Sequence, residues 1–91
     1  MKILVAYDIT DNRRRNRLAK TLLNYLVRVQ FSVFQGSISK EKLNELRKEI
    51  SKIIKVSEDS VIIIKLCTSC VEKTELHGII KGYELEGPII I

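Results

Sequence analysis

Lys2-Ile3-Leu4-Val5-Ala6-Tyr7-Asp8 is a nearly continuous apolar run that ends on a carboxylate, and its reading decides the fold. So many β-forming side chains in a row predict a central strand covered on both faces. Working outward, Thr10 or Asp11 can cap a helix running to about Leu26, with Leu18, Ala19, Leu22, Leu23 and Leu26 recurring at three- and four-residue spacing. That stripe packs the helix on the sheet. Val29, Phe31 and Val33 then alternate with Gln30, Ser32 and Phe34, the period of a strand, and Gly36 closes the run. Ser39 caps a second helix whose apolar face is Leu43, Leu46, Ile50 and Ile53, with Glu41 near the positive end of its dipole. After Glu58-Asp59 comes a third apolar strand, Ser60 to Leu66. A fourth is expected at Ile79 to Tyr83, and Pro88-Ile89-Ile90-Ile91 reads as a short extended tail. Two helices on a sheet of four or five strands make a two-layer α/β sandwich.

With 91 residues, 45% hydrophobic and 30% charged, the chain fits one domain spanning residues 1–91. It is too apolar for intrinsic disorder and too charged for a membrane protein. No apolar run reaches the roughly 18 to 20 residues of a membrane span. Asp8 and Asp11 follow the first apolar residues too closely for a signal peptide, so a cytoplasmic protein is expected. The isoleucine tail suits water poorly in a monomer. A symmetric dimer in which the tail completes the partner's sheet resolves that problem.

The net charge of +5 is localised. Residues 11–30 hold Arg13, Arg14, Arg15, Arg17, Lys20 and Arg28 against Asp11 alone, and the remaining acids and bases cancel. Such a segment is either a footprint for phosphate backbones or a solvated helix face.

Asp8 is the sharpest candidate for chemistry, because a carboxylate at the carboxyl end of a central strand faces the crevice where α/β proteins place ligands. It is equally a strand-end residue bonded to the following turn. Magnesium sites use one or two carboxylates with waters and phosphates, and a dimer axis beside Asp8 would supply the second. Arg15 lies seven residues before Leu22, on the buried stripe at the helix end nearest Asp8, and should point to the site. Arg13 and Arg17 turn toward solvent. Arg28 shares a strand face with Gln30, Ser32 and Phe34, a polar strip with one aromatic suited to backbone and base contact, although Phe34 fits a core equally well. Cys67 and Cys70 form one C-x-x-C near His77, one ligand short of a structural zinc set, and read as two reduced cysteines in a loop. Phosphate-loop, dinucleotide and hydrolase-triad motifs are absent.

Leu4-Val5-Ala6-Tyr7-Asp8-Ile9-Thr10-Asp11, then Arg15-Asn16-Arg17-Leu18-Ala19, then Arg28-Val29-Gln30-Phe31-Ser32-Val33-Phe34-Gln35-Gly36 resemble the family of CRISPR-associated protein two over essentially the whole chain. Asp59-Ser60-Val61 and the C-x-x-C extend the likeness. The resemblance implies a ferredoxin-like fold, with two helices on one face of a four- to five-stranded, mainly antiparallel sheet. It also implies a homodimer in which segment 84–91 crosses to the partner's sheet, and a CRISPR integrase as partner. It implies two alternative activities on RNA or DNA. One is a metal-dependent endonuclease, with Asp8 and Tyr7 in the catalytic positions and Asp8 holding Mg2+ or Mn2+. The other is a non-catalytic bridge that holds spacer DNA between integrase dimers. Nucleic-acid contacts carry over to Arg15, Arg17, Arg28 and Phe34. Departures are Phe31 where tyrosine is common, Gln35 where an acid is frequent, and Asn24-Tyr25-Leu26 in place of a glycine. A ferredoxin-like order also needs a hairpin between the helices, so the run from 28 to 38 is expected to break or bulge near Ser32.

Overall fold

The structure is a computed structural model that describes residues 1–75, 77 and 78. Its elements are β1 (Lys2–Asp8), α1 (Asn12–Leu22), β2 (Val27–Gln30), β3 (Val33–Ser37), α2 (Lys40–Ile53), β4 (Ser60–Leu66) and a short α3 (Thr68–Glu72). The strands form one sheet in the order β2-β3-β1-β4, each neighbouring pair antiparallel. This βαββαβ arrangement is the expected ferredoxin-like sandwich.

β1 is central, flanked by β3 and β4, but its two faces differ. Ile3, Val5 and Tyr7 are buried in one cluster with Leu18 and Leu22 of α1 and Leu43, Leu46, Ile50 and Ile53 of α2. Burial of each large aliphatic side chain contributes roughly 1.5–3 kcal/mol, so this layer dominates stability. Leu4 and Ala6 point the other way and are half-buried. Ile62 and Ile64, cross-strand from Ala6 and Leu4, are 57% and 45% exposed. Both helix stripes are used on a single face. The expectation of a strand covered on both faces is therefore corrected: among the described residues, helices cover one.

α1 starts where the sequence indicates, with the Asp11 side chain accepting from the Arg14 N–H at 2.9 Å. It ends earlier than expected. The N–H groups of Tyr25 and Leu26 both turn back to the Leu22 carbonyl, at 3.0 and 2.8 Å. That turn buries Leu26 and leaves Leu23 exposed, so Leu23 does not belong to the packed stripe. α2 follows the sequence closely: Ser39 Oγ accepts from the Lys42 N–H at 3.1 Å, and the buried residues are the four expected ones.

The run after α1 does break into a hairpin, with Phe31 and Ser32 in the turn. Arg28 pairs with Phe34 and Gln30 with Val33, so Val29 is an extra residue in a bulge. The bulge resets the side-chain alternation. Phe34 pairs with Val5 and is fully buried, whereas Phe31 is 71% exposed at the turn. Gly36 sits where Leu26 crosses the hairpin, and a Cβ there would meet Leu26 Cδ2 at 3.1 Å. Among the described residues no helix is long and apolar enough to cross a membrane. The expected strand at Ile79–Tyr83 and the segment 84–91, with its isoleucine tail, lie outside the described residues.

Candidate functional site

Asp8 is the last residue of β1, paired with Ser60 and exposed. Two bonds bring the hairpin turn to this strand end. The Tyr7 N–H donates to the Ser32 carbonyl at 3.1 Å, and the Tyr7 hydroxyl meets the Phe31 carbonyl at 3.5 Å. Between them opens a cleft of about 390 Å³, lined by Tyr7, Asp8, Ile9, Thr10, Arg15, Phe31 and Ser32. Tyr7 is itself largely core: it is 6% exposed, and its ring stacks near Phe34 with centroids 6.2 Å apart.

Arg15 does point to the strand end. Its Nη1 donates to the carbonyls of Ile9 and Thr10 at 3.3 and 3.4 Å, and its Nη2 donates to Asn12 Oδ1. The guanidinium therefore organises the loop between β1 and α1 as well as placing positive charge in the cleft. Its Nε is buried without a partner among the described residues, as is that of Arg28. Arg28 lies over aromatic faces, 5.0 Å from the Phe34 centroid and 5.9 Å from that of Phe31. Arg28 and Phe34 thus share a face, as expected, and of the two places open to Phe34 the structure chooses the core. The Phe34 ring is closed to a base, and the aromatic open to solvent beside Arg28 is Phe31, which sequence reading had not singled out as a contact. The signal was present as an aromatic at the predicted break, but the bulge was needed to choose between the two rings.

Arg17 is not brought to this cleft. It is exposed in a separate groove between α1 and α2, with Thr21, Glu49, Lys52 and Ile53. Arg14 is taken up elsewhere, by Asp59 at 2.7 Å and by Asp11 and Glu58 at 3.6 and 3.7 Å. Hydrogen bonding to Asp59 raises the Arg14 pKa, and the same bond holds the Asp59 carboxyl below its usual range. The basic segment is thus less cationic in space than along the chain, because acids from the loop before β4 fold onto it.

Asp8 offers hard oxygen donors suited to Mg2+ or Mn2+. Among the described residues no group of three or more His, Cys, Asp or Glu side chains is placed to hold an ion. One carboxylate fits such a cation only if a second copy, water or substrate phosphate completes the shell. The cysteines depart from the loop expected for them: Cys67 caps α3 directly after β4, with its Sγ 3.2 Å from that of Cys70.

A βαββαβ sandwich with a carboxylate ending its central strand, beside an arginine and an exposed aromatic, defines a small ferredoxin-like protein with a charged strand-end cleft. The chain belongs to the CRISPR-associated Cas2 family: the family described as CRISPR associated protein Cas2 matches residues 1–74. It is 41% identical over 75 residues to CRISPR-associated endoribonuclease Cas2 3 of Synechocystis sp., covering 82% of each chain. It is 39% identical over 80 residues to CRISPR-associated endoribonuclease Cas2 2 of Archaeoglobus fulgidus, covering 88% of this chain and 86% of that one. Among solved structures, Streptococcus pyogenes Cas2 at pH 6.5 matches with a TM-score of 0.78 and 28% identity, over 86% of this chain and 100% of that chain. Hypothetical protein TT1823 of Thermus thermophilus matches with a TM-score of 0.79 and 32% identity, over 87% and 92%.

Proposed function

We propose that this chain is a cytoplasmic CRISPR adaptation protein that binds nucleic acid as a homodimer and carries a metal-dependent endonuclease site at Asp8. The observation that carries the reading is one cleft holding the Asp8 carboxylate, the Arg15 guanidinium and the exposed Phe31. These supply, in turn, a ligand for a hard cation, a positive charge for a phosphate and a platform for a base. The endoribonuclease names of the relatives favour RNA as substrate.

Asp8 lies on the face of β1 shared with Leu4 and Ala6, next to exposed Ile62 and Ile64. A second copy docked on that face covers the apolar surface and, with its twofold axis beside the strand end, brings a second Asp8 into reach. Mg2+ or Mn2+ held there supplies activation of water and neutralisation of charge on the phosphate. Arg15 positions the backbone from the α1 side, and Tyr7 fixes the hairpin turn so that Phe31 stands at the cleft mouth. Arg28 holds the Phe31 ring by cation–π contact. Arg17 lies outside the cleft and extends the phosphate footprint over the helices.

A second reading has its own support. With one carboxylate per chain in the cleft, the same surface suits a non-catalytic bridge that holds DNA between copies of the CRISPR integrase. The deciding experiment is incubation of purified protein with RNA and with duplex DNA, with and without Mg2+ or Mn2+, in parallel with Asp8→Asn. Metal-dependent cutting that disappears in the variant, with binding intact, supports the nuclease. Binding without cutting in both proteins leaves the bridge.

A further inference from the structure

The cysteine pair is remote from the Asp8 cleft in β1: Asp8 pairs with Ser60 at one end of β4, and Cys67 follows Leu66 at the other. Both thiols are free and exposed, so both are open to a small reagent. Their sulfurs are 3.2 Å apart, and the Cys70 N–H lies 3.4 Å from Cys67 Sγ. α3 buries no residue, so drawing the sulfurs together disturbs no core packing. An open cleft of about 460 Å³, lined in part by Met1, Leu66, Cys67 and Val71, leaves room beside Cys67 for an incoming molecule. Metal binding is the weaker use of this pair. Within the described residues His77 contacts Glu75 at 3.2 Å, and no third ligand joins the two sulfurs.

We infer that Cys67 and Cys70 form a thiol–disulfide exchange site that reacts with low-molecular-weight disulfides of the glutathione class. The Cys67 thiol is the attacking group. The adjacent Cys70 thiol, and then its backbone N–H, hold Cys67 below the ordinary thiol range, while Cys67 pushes Cys70 up. The Cys67 thiolate forms a bond to one sulfur of the disulfide, and the other sulfur leaves as a thiolate that takes up the proton Cys67 gave up. Cys70, losing its proton, then attacks Cys67 Sγ and expels the second small thiolate, which is protonated in turn. The two cysteines end as one disulfide, and the small disulfide is reduced to two thiols. The bond formed ties the first turn of α3 to the end of β4.

The test is incubation of the full chain with glutathione mixtures of varied poise, acid quenching, alkylation and mass analysis. The expected product is a chain lighter by two hydrogens, with Cys67 and Cys70 joined, in reversible equilibrium with the dithiol. Cys70→Ser should accumulate a stable glutathione adduct on Cys67, and Cys67→Ser should react several-fold more slowly. The inference is overturned by doubly glutathionylated chains, by bonds between chains in place of the internal one, by no reaction, or by thiols that react only after a chelator removes a bound metal.

Discussion

Arg14 and Asp59 grip each other with two bonds, Nε to Oδ2 at 2.7 Å and Nη2 to Oδ1 at 3.1 Å. The Asp59 side chain is fully buried and also accepts from the Lys55 N–H at 2.8 Å. The first turn of α1 is thereby fastened to the residue preceding β4, and Ser60, which follows, is the cross-strand neighbour of Asp8. This pair holds the two sides of the strand end together without entering the cleft.

Acid should weaken this clamp. The Arg14 guanidinium first, and the Lys55 N–H second, hold the Asp59 carboxyl below its ordinary value of 3.8. A carboxyl depressed in the folded state adds stability that is complete above the unfolded value and is lost as pH falls through the folded one. Asp59→Asn should lower the melting temperature by several degrees near neutrality, and its loss of stability below roughly pH 5 should be shallower than the parent's. Thermal melts followed by circular dichroism across pH check this. An identical acid limb in parent and variant would show that other groups set it.

The two phenylalanines of the hairpin should separate stability from binding. Phe34→Ala removes a fully buried ring and should cost about 3–5 kcal/mol in urea unfolding. Phe31→Ala, at an exposed turn, should stay within about 0.5 kcal/mol of the parent. Its affinity for single-stranded RNA should nonetheless fall by about 1–3 kcal/mol, the worth of one stacked base. Unchanged affinity for Phe31→Ala would remove the ring from the interface.

Salt dependence should rank the arginines by their freedom. Arg17→Ala should flatten the log-log salt slope on duplex DNA by about 0.9, one phosphate contact, alike for every sequence. Arg15→Ala should do the same and also loosen the loop that its guanidinium bonds. Arg14→Ala should lower the melting temperature while leaving the slope unaltered, since Asp59, Asp11 and Glu58 already surround that charge. Titrations followed by fluorescence anisotropy at several salt concentrations read all three.

Association should respond to the uncovered sheet face. Ile62→Glu places a charge on an exposed apolar surface and should shift the protein toward monomer without lowering its helix content. Deleting residues 88–91 should weaken association as well if the tail completes a partner's sheet. Light scattering distinguishes the contributions: a dimer that survives truncation but not Ile62→Glu is held by the face alone.

Ser39 with Leu43, Leu46, Ile50 and Ile53, Asp11 as one of two candidate caps, and the bounds of β1 and β4 were legible in the sequence, because caps and apolar periods are local and act over a few residues. The strand-end position of Asp8 and the inward aim of Arg15 followed from those same elements. The tertiary structure alone decided the rest. Phe34 rather than Phe31 enters the core because a bulge opposite Phe34 shifts the alternation, and no Asn-Gly or Asp-Gly marks that turn. Leu23 is exposed because the chain must leave α1 early to bring Leu26 across Gly36. Arg14 lost its place in the basic patch to an acid 45 residues away, a pairing that no local pattern encodes. Local propensity is written along the chain, whereas the partner of a charge and the exposed face of a sheet exist only once distant segments have packed.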